Sequence, residues 1–351
     1  MKPAILQPAV LSALCAAALF GASTPLAKQL VGQLPTLLLA GLLYLGSGIG
    51  LTIIRVIRDR GWAPTQLRPG DWPWLAGAIV LGGVLGPVLL MFGLARTAAS
   101  SASLLLNLEA VLTAILAWFA FRENADRRIV LGMFLIVAGG VALSWPSGAK
   151  SPSAWQGPVA IAGACLCWAM DNNLTRKVSA ADALFLSALK GLAAGSVNTA
   201  LYLLFDPTPA AWRAAPLAML VGLLGYGLSL VLFVLALRGL GAARTGAYFS
   251  TAPFIGAALA VTFLGEPVTP VFALAAGLMG VGVWLHLTER HEHEHVHEPM
   301  VHTHSHVHDE HHQHAHEFPW DGREPHTHLH THEALRHRHP HYPDIHHTHR
   351  H

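Results

Sequence analysis

The sequence predicts an all-α membrane protein: ten transmembrane helices arranged as two inverted five-helix repeats, followed by a disordered His-rich tail. Three observations carry that prediction. The chain is 53% hydrophobic and only 12% charged, with a mean hydropathy of +0.44, far from the balance of a soluble domain. Its apolar residues gather into segments of about the length that crosses a ~30 Å hydrocarbon layer. Two of those segments share one design: Gly241 to Glu266, and an earlier one running from Ser100 through Thr113 to Phe121-Arg122-Glu123. Laid together, Glu123 falls on Glu266 and Leu94 on Leu237, so the chain reads as a duplication.

The spans fall near 9–27, 35–56, 73–94, 100–121, 128–145, 155–174, 183–204, 215–236, 243–264 and 270–287. The first opens directly after Met1-Lys2-Pro3 and continues through Pro25 and Lys28 without a cleavage site, which makes it a span rather than a signal peptide. Pro253 sits in the middle of the ninth, a placement that membrane helices tolerate because neighbours re-satisfy the freed carbonyl. Pro146 to Ala154 is the longest break before the tail and divides a first repeat, 1–148, from a second, 149–290. Cys15, Cys165 and Cys167 lie in apolar surroundings, too sparse for a disulfide framework or a metal site.

Orientation follows from Lys and Arg near the span ends. With the N-terminus inside, thirteen flank the inner ends (Lys2, Arg55, Arg58, Arg60, Arg68, Arg122, Arg127, Arg128, Arg176, Lys177, Arg238, Arg244, Arg290) and four the outer (Lys28, Arg96, Lys150, Arg213). Both termini are therefore expected in the cytoplasm of a bacterial cell, with the bundle in the inner membrane. Five is odd, so the second repeat enters from the opposite face. Inverted repeats of this kind are the architecture of secondary transporters, with the site at the repeat interface near the midplane.

The two segments ending at Glu123 and Glu266, Pro253 in the second, the glycine-rich fifth span Gly132 to Gly140, and Gly157, Cys167-Trp168-Ala169 and Arg176-Lys177 in the sixth resemble the drug/metabolite transporter superfamily, specifically its EamA-type exporters. The likeness covers roughly residues 9–287 and implies export of small organic solutes such as amino acids or related metabolites. One departure is visible: where the first half would carry a proline matching Pro253, it has Glu109-Ala110.

A carboxylate in mid-span costs about 3 kcal/mol on insertion scales and faces a bundle interior. Glu109, beside Asn107, is thus either a proton- or cation-responsive group or a structural partner to a neighbouring helix. Lys190 lies about 10 Å in from the cytoplasmic end of the seventh span, and Asp171, Asn172 and Asn173 sit near that end of the sixth. Lys190 has three readings: a pair with Asp171, a pair with Glu109, or snorkelling to the interface. Tyr226, Tyr248, Ser250 and Thr251 form a polar set on the eighth and ninth spans, either lining a cavity or packing helices. Gly222, Gly225 and Gly227, like Gly46, Gly48 and Gly50, permit close helix approach, and Glu123 and Glu266, at span ends, are expected to be structural.

All 24 histidines occur from His286 onward. The segment after Arg290 has too few apolar residues for a core and is expected to be disordered without a ligand. It is nonetheless two copies of a 26-residue unit, 291–316 and 326–351. His291, His293, His295 and His297 recur as His326, His328, His330 and His332; His302, His304 and His306 as His337, His339 and His341. His311, His312, His314 and His316 recur as His346, His347, His349 and His351, while His308 is matched by Pro343. Alternating His-x-His puts imidazoles on one side of an extended chain. Most are neutral near pH 7 and suited to Ni²⁺, Zn²⁺, Co²⁺ or Cu²⁺.

These readings give a membrane-embedded transporter of small organic molecules, with no catalytic motif and no nucleic-acid partner, whose tail binds divalent metal. Two rivals stand beside it: a divalent-metal transporter fed or gated by the tail, and a membrane-anchored metal store or sensor. The oligomeric state is open, a homodimer included.

Overall fold

The computed structural model describes residues 8–61, 67–121, 127–145, 155–178, 181–205, 207–288 and four stretches of the tail. Glu123 lies outside the described residues, as do His291, His308, His311, His312, His314, His316, His341, His346, His347, His349 and His351.

The first and second spans are α1 (Pro8–Leu30) and α2 (Thr36–Asp59). The third is one long helix in three pieces: α3 (Trp72–Ala78), a π turn (Ile79–Leu85) and α4 (Gly86–Arg96). The fourth is broken at Leu106-Asn107 into α5 (Ala99–Leu105) and α6 (Leu108–Phe121), and α7 (Arg127–Ser144) is the fifth. The second repeat follows the same plan. The sixth and seventh spans are α8 (Gln156–Val178) and α9 (Ala183–Phe205). The eighth is α10 (Ala215–Gly222), a π turn (Leu223–Leu228) and the start of α11 (Ser229–Phe249). The ninth is the end of α11 and, after a break at Ser250-Thr251, α12 (Ala252–Leu264); α13 (Pro270–Leu287) is the tenth. Among the described residues seven helices are long and apolar enough to cross a membrane. α12 and α13 are shorter apolar helices, and α8 has 23 residues but carries Asp171, Arg176 and Lys177.

The spacing that lays Glu123 on Glu266 also lays one π turn on the other and one helix break on the other, each within a residue. Local chemistry explains three of the four irregularities. In the third span Pro87 has no N–H for the Gly83 carbonyl, and Asn198 Nδ2 donates to that carbonyl instead, at 3.1 Å. In the ninth, Pro253 stands at the start of α12, where a missing donor costs nothing. In the fourth, Ala110 replaces that proline, and the break is held by Asn107, whose Nδ2 donates to Leu104 O at 3.0 Å.

Packing is between repeats as much as within them: α2 lies along α9 and α10, α1 along α11 and α12, α8 along α4 and α6, and α7 along α13. Small residues make the closest crossings, as expected where lipid removes any hydrophobic drive between helices. A Cβ on Gly48 or Gly191 would fall against the other helix's backbone, and one on Gly46 or Gly222 against α10 or α2. The outer surface carries large apolar side chains such as Ile57, Phe134, Leu204 and Phe263, which a bilayer solvates and water would not.

In the tail, four short stretches are extended. β1 (Glu292–His297) pairs antiparallel with β4 (Leu335–Pro340), and β2 (Met300–His306) with β3 (His326–His332). The duplicated unit supplies the reason: alternating sequences of matched period give each strand a partner of the same pattern.

Candidate functional site

One face of α8 organises the polar groups of the bundle interior and its mouth. Trp168, Asp171, Asn172 and Thr175 follow the i, i+3, i+4, i+7 spacing that puts side chains in one stripe. Asp171 is buried and takes two bonds from Lys190 Nζ, at 2.7 and 2.8 Å, so the lysine neither pairs with Glu109 nor snorkels. Thr175 Oγ1 donates to Asp171 Oδ1 at 2.8 Å and receives Lys190 at 3.2 Å. A buried pair with this many bonds offsets much of its desolvation cost. Both members lie seven residues from the nearer end of their helix, about 10 Å in.

The π turn of the third span faces this pair. Gly86 N reaches back to Leu81 O, five residues away, which releases the Gly82 carbonyl from the helical ladder. Tyr44 Oη (2.8 Å) and Trp168 Nε1 (2.9 Å) both donate to it. Gly82 has to be glycine here, because any Cβ would overlap the Asp171 carboxylate.

Asn172 Nδ2 donates to Glu109 Oε1 at 2.8 Å, tying the stripe to the first turn of α6. Glu109 is half-buried and Asn107, just before it at the break, is buried with its Oδ1 unbonded. Helix N-termini favour negative charge, and the carboxylate at this one belongs to the chain itself.

An aromatic cluster closes the arrangement. Phe20 meets Trp168 edge-on (centroids 6.1 Å), Tyr226 at 6.0 Å and Phe249 at 5.3 Å, while Tyr44 lies 5.5 Å from Tyr226. Tyr226 Oη is buried without a hydrogen bond of good geometry. Ser23 is its polar neighbour, but the Ser23 hydroxyl is already directed at Phe20 O, at 2.6 Å. Members of all this come from α1, α2, the two π turns, α6, α8, α9 and the end of α11, that is, from both repeats.

Of the residues singled out in the sequence, Asp171, Asn172, Lys190, Glu109 and Tyr226 are brought together around the first and sixth spans. Tyr248, Ser250 and Thr251 are not: Ser250 Oγ and Thr251 Oγ1 donate to Gly246 O and Tyr248 O of their own chain at the break. Thr251 borders an apolar groove of about 420 Å³ between α12 and α13, away from the charged groups. Phe20, Tyr44, Trp168 and Thr175 belong to the site without having been named as lining it. The signal available for them was aromatic or hydroxyl character on spans otherwise made of Ala, Leu and Gly.

Two further polar clusters lie at the ends of the bundle. Glu266 accepts from Ala99 N (2.7 Å) and Ser100 N (2.8 Å), capping α5, while Lys28 donates to Leu94 O and Thr97 O beside it. At the opposite end, Asp182 accepts from Arg55 (3.2 Å) and Arg58 (2.6 Å), and from Leu184 N at 3.1 Å. Burial pushes the Asp182 carboxyl up, but the Arg58 and Arg55 bonds outweigh it and hold the group below the usual carboxylate range.

Comparison with known proteins bears on what such a bundle does. A model of the EamA-like transporter family matches twice, over residues 7–145 and 155–288. The chain belongs to the EamA-like transporter family. An uncharacterised transporter of Methanothermobacter thermautotrophicus is 28% identical over 77% of this chain and 82% of its own length. The uncharacterised transporter YyaM of Bacillus subtilis is 26% identical over 75% and 88%. A shorter relative, the probable 4-amino-4-deoxy-L-arabinose-phosphoundecaprenol flippase subunit ArnE of Pseudomonas paraeruginosa, is 39% identical over 30% of this chain and 88% of itself. A solved crystal structure superposes with a TM-score of 0.61 over 78% of this chain and 95% of its own, at 19% identity, which is a likeness of fold. The protein is a multi-pass membrane transporter of the EamA-like family.

Proposed function

We propose that this EamA-like protein is an inner-membrane secondary transporter that exports small amino-bearing organic metabolites by alternating access, and that its cytoplasmic tail binds divalent metal. The observation that carries the transport reading is the Asp171–Lys190 pair, set against a carbonyl released by a π turn and an aromatic cluster drawn from both repeats. Broken or irregular helices at equivalent points of two inverted repeats are where secondary transporters bind cargo. A solute bearing an amino group competes with Lys190 for Asp171, and one bearing an acid competes with Asp171 for Lys190. An aromatic wall suits the remaining apolar body of such a solute. The ArnE relative is named for an amino sugar on a lipid phosphate, which shares the amino group and sets amino sugars beside amino acids as test solutes. Glu109 is the coupling group: a carboxylate at mid-span whose partner, Asn172, is neutral.

A second reading, divalent metal as the cargo, rests on the tail alone; the spans contain no histidine before His286. One experiment separates the two. Cells expressing the full chain, a Glu109→Gln variant and a chain ending at Arg290 are compared for extracellular amino acids and amino sugars and for cell-associated Ni, Co, Zn and Cu. Organic export predicts that at least one amino-bearing metabolite accumulates outside, is lost with Glu109→Gln and survives truncation. Altered metal with unaltered metabolites, abolished by truncation, would overturn it: loss of that change with Glu109→Gln would make metal the cargo, and its persistence would make the bundle an anchor for a metal store.

A further inference from the structure

The buried apolar core is not spread evenly through the bundle. Its largest part joins Leu30 of α1, Leu38 of α2, Leu94 of α4, Ile161 of α8, Tyr202 of α9 and Ala218 of α10. Those positions lie toward one end of the bundle, where the first and third spans finish and the sixth begins, so both repeats meet there in one continuous cluster. Toward the other end the buried apolar side chains, among the described residues, fall into separate groups: Leu75 with Leu186, Val111 with Ile136 and Val283, and Leu51 with Val231. One stripe of α8 crosses between the two regions. Cys165 and Trp168 are buried, and Asn172, one turn further on, is exposed. Asn172 shares its stripe with those two and not with the outward-facing Leu166 and Met170. The interior therefore opens toward the end that carries Asp182, Arg55 and Arg58.

The packed end carries the Lys28–Glu266 cluster, which fastens the turn between the third and fourth spans from two sides. Glu266, in the turn between α12 and α13, takes the amides of Ala99 and Ser100 at 2.7 and 2.8 Å. Lys28, near the end of α1, donates to Leu94 O and, at 2.8 Å, to Thr97 O. Lys28 also lies in the field of Glu266. Opposite charges thus grip the free carbonyls and the free amides of one turn. The Asp182 cluster at the other end is of a different kind. It joins the end of α2 to the turn before α9, and those two helices already touch closely at Gly48 with Gly191, Gly41 with Thr199 and Gly195 with Leu45. A seam seated at three levels moves as one body. Glu266 holds the first repeat by two side-chain bonds that separate as soon as the turn moves.

We infer that this structure is the inward-accessible state of the transporter, and that Glu266 with Lys28 is the lock on its external end, released when the halves rock to open the other way. The inference rests on the alternating-access reading and on the orientation drawn from Lys and Arg, and adds the residues that hold one end shut. Glu266 then does more than finish α5. Its carboxylate comes from the second repeat and its amide partners from the first, so the bonds break when the repeats part at that end. A lock made in only one of two states shifts their populations toward that state by the free energy of its bonds.

The test reads the accessibility of two introduced cysteines to a membrane-impermeant maleimide, in vesicles of known orientation. The full chain is used, with Cys15, Cys165 and Cys167 changed to alanine. Met91→Cys reports on the packed half, where Met91 is fully buried, and Asn172→Cys on the open half. Without further change, Asn172→Cys should label from the cytoplasmic face and Met91→Cys from neither. Glu266→Gln should make Met91→Cys label from the external face at least about tenfold faster, the worth of one lost charge-assisted bond, while labelling of Asn172→Cys slows. Lys28→Met, which frees the same turn from its other side, should do likewise, and Asp182→Asn should leave Met91→Cys protected. Labelling that rises at both reporters, or at neither, would overturn the lock and leave Glu266 a structural cap. A rise at Met91→Cys with Asn172→Cys unchanged would count against alternating access itself, because the two ends would then open independently. Asn172→Cys labelled only from the external face would overturn the assignment of the state.

Discussion

At the scale of single residues, the site is built on one buried ion pair, Lys190 with Asp171. Removing one member of a buried pair leaves the other charged and uncompensated, which costs about 3–5 kcal/mol, whereas removing both is often near neutral. Lys190→Met alone should therefore destabilise the bundle heavily, and Lys190→Met with Asp171→Asn should recover most of the loss. Thermal unfolding in detergent checks this; a double variant no better than the single would show that the pair does not act as a unit. Asp171, Asn172, Lys190 and Glu109 were legible in the sequence because a charge or amide within an apolar span is expensive and so conspicuous. Which partner Lys190 takes was not legible, since Asp171 and Glu109 are equally available by position. The choice is made by tertiary packing: Lys190 and Asp171 sit at the same depth on consecutive helices that both pack on the π turn of the third span, while Asn172, one residue on, turns to Glu109.

At the scale of elements, ten spans and their duplication could be read from hydropathy and from the match of Glu123 to Glu266. The π turns could not, because hydropathy is blind to how backbone carbonyls are shared; Gly82-Gly83 with Pro87 is the local cue, and it acts only because Tyr44, Trp168 and Asn198 are there to take the released carbonyls. The end clusters were half legible. Glu266 was expected to be structural, and it caps α5, but the Asp182 network requires knowing that the turn before α9 meets the end of α2. Its pH dependence follows from the shift. A carboxyl held below its unfolded value of about 3.9 stabilises the fold when ionised. That contribution is complete above the unfolded value and is lost as pH falls through the folded one. Asp182→Asn should lower stability by up to about 1 kcal/mol at neutral pH, modest because Arg58 is half exposed. The gap between variant and parent should hold from pH 7 to 5 and close only below about 4; a gap unchanged at pH 3 would mean that the carboxylate charge contributes nothing.

At the scale of the whole molecule, two inverted repeats share their core, so neither can move without changing what lines the midplane. The second repeat supplies Asp171, Lys190 and Trp168, and the first supplies Glu109, Tyr44 and the Gly82 carbonyl. On the proposed function, this asymmetry within a symmetric frame would tie cargo binding to the relative position of the halves. The measurement that tests it most directly is flux in proteoliposomes. Vesicles holding the purified protein are loaded with the amino-bearing metabolite that expressing cells release, and a proton gradient is imposed across them. The wild type should drive net movement against the solute gradient, and Glu109→Gln should lose that coupling while the protein stays folded by thermal unfolding. Equal, gradient-driven flux in both would contradict a coupling role for Glu109, and no flux of any amino-bearing solute in the wild type would contradict the organic-export reading as a whole.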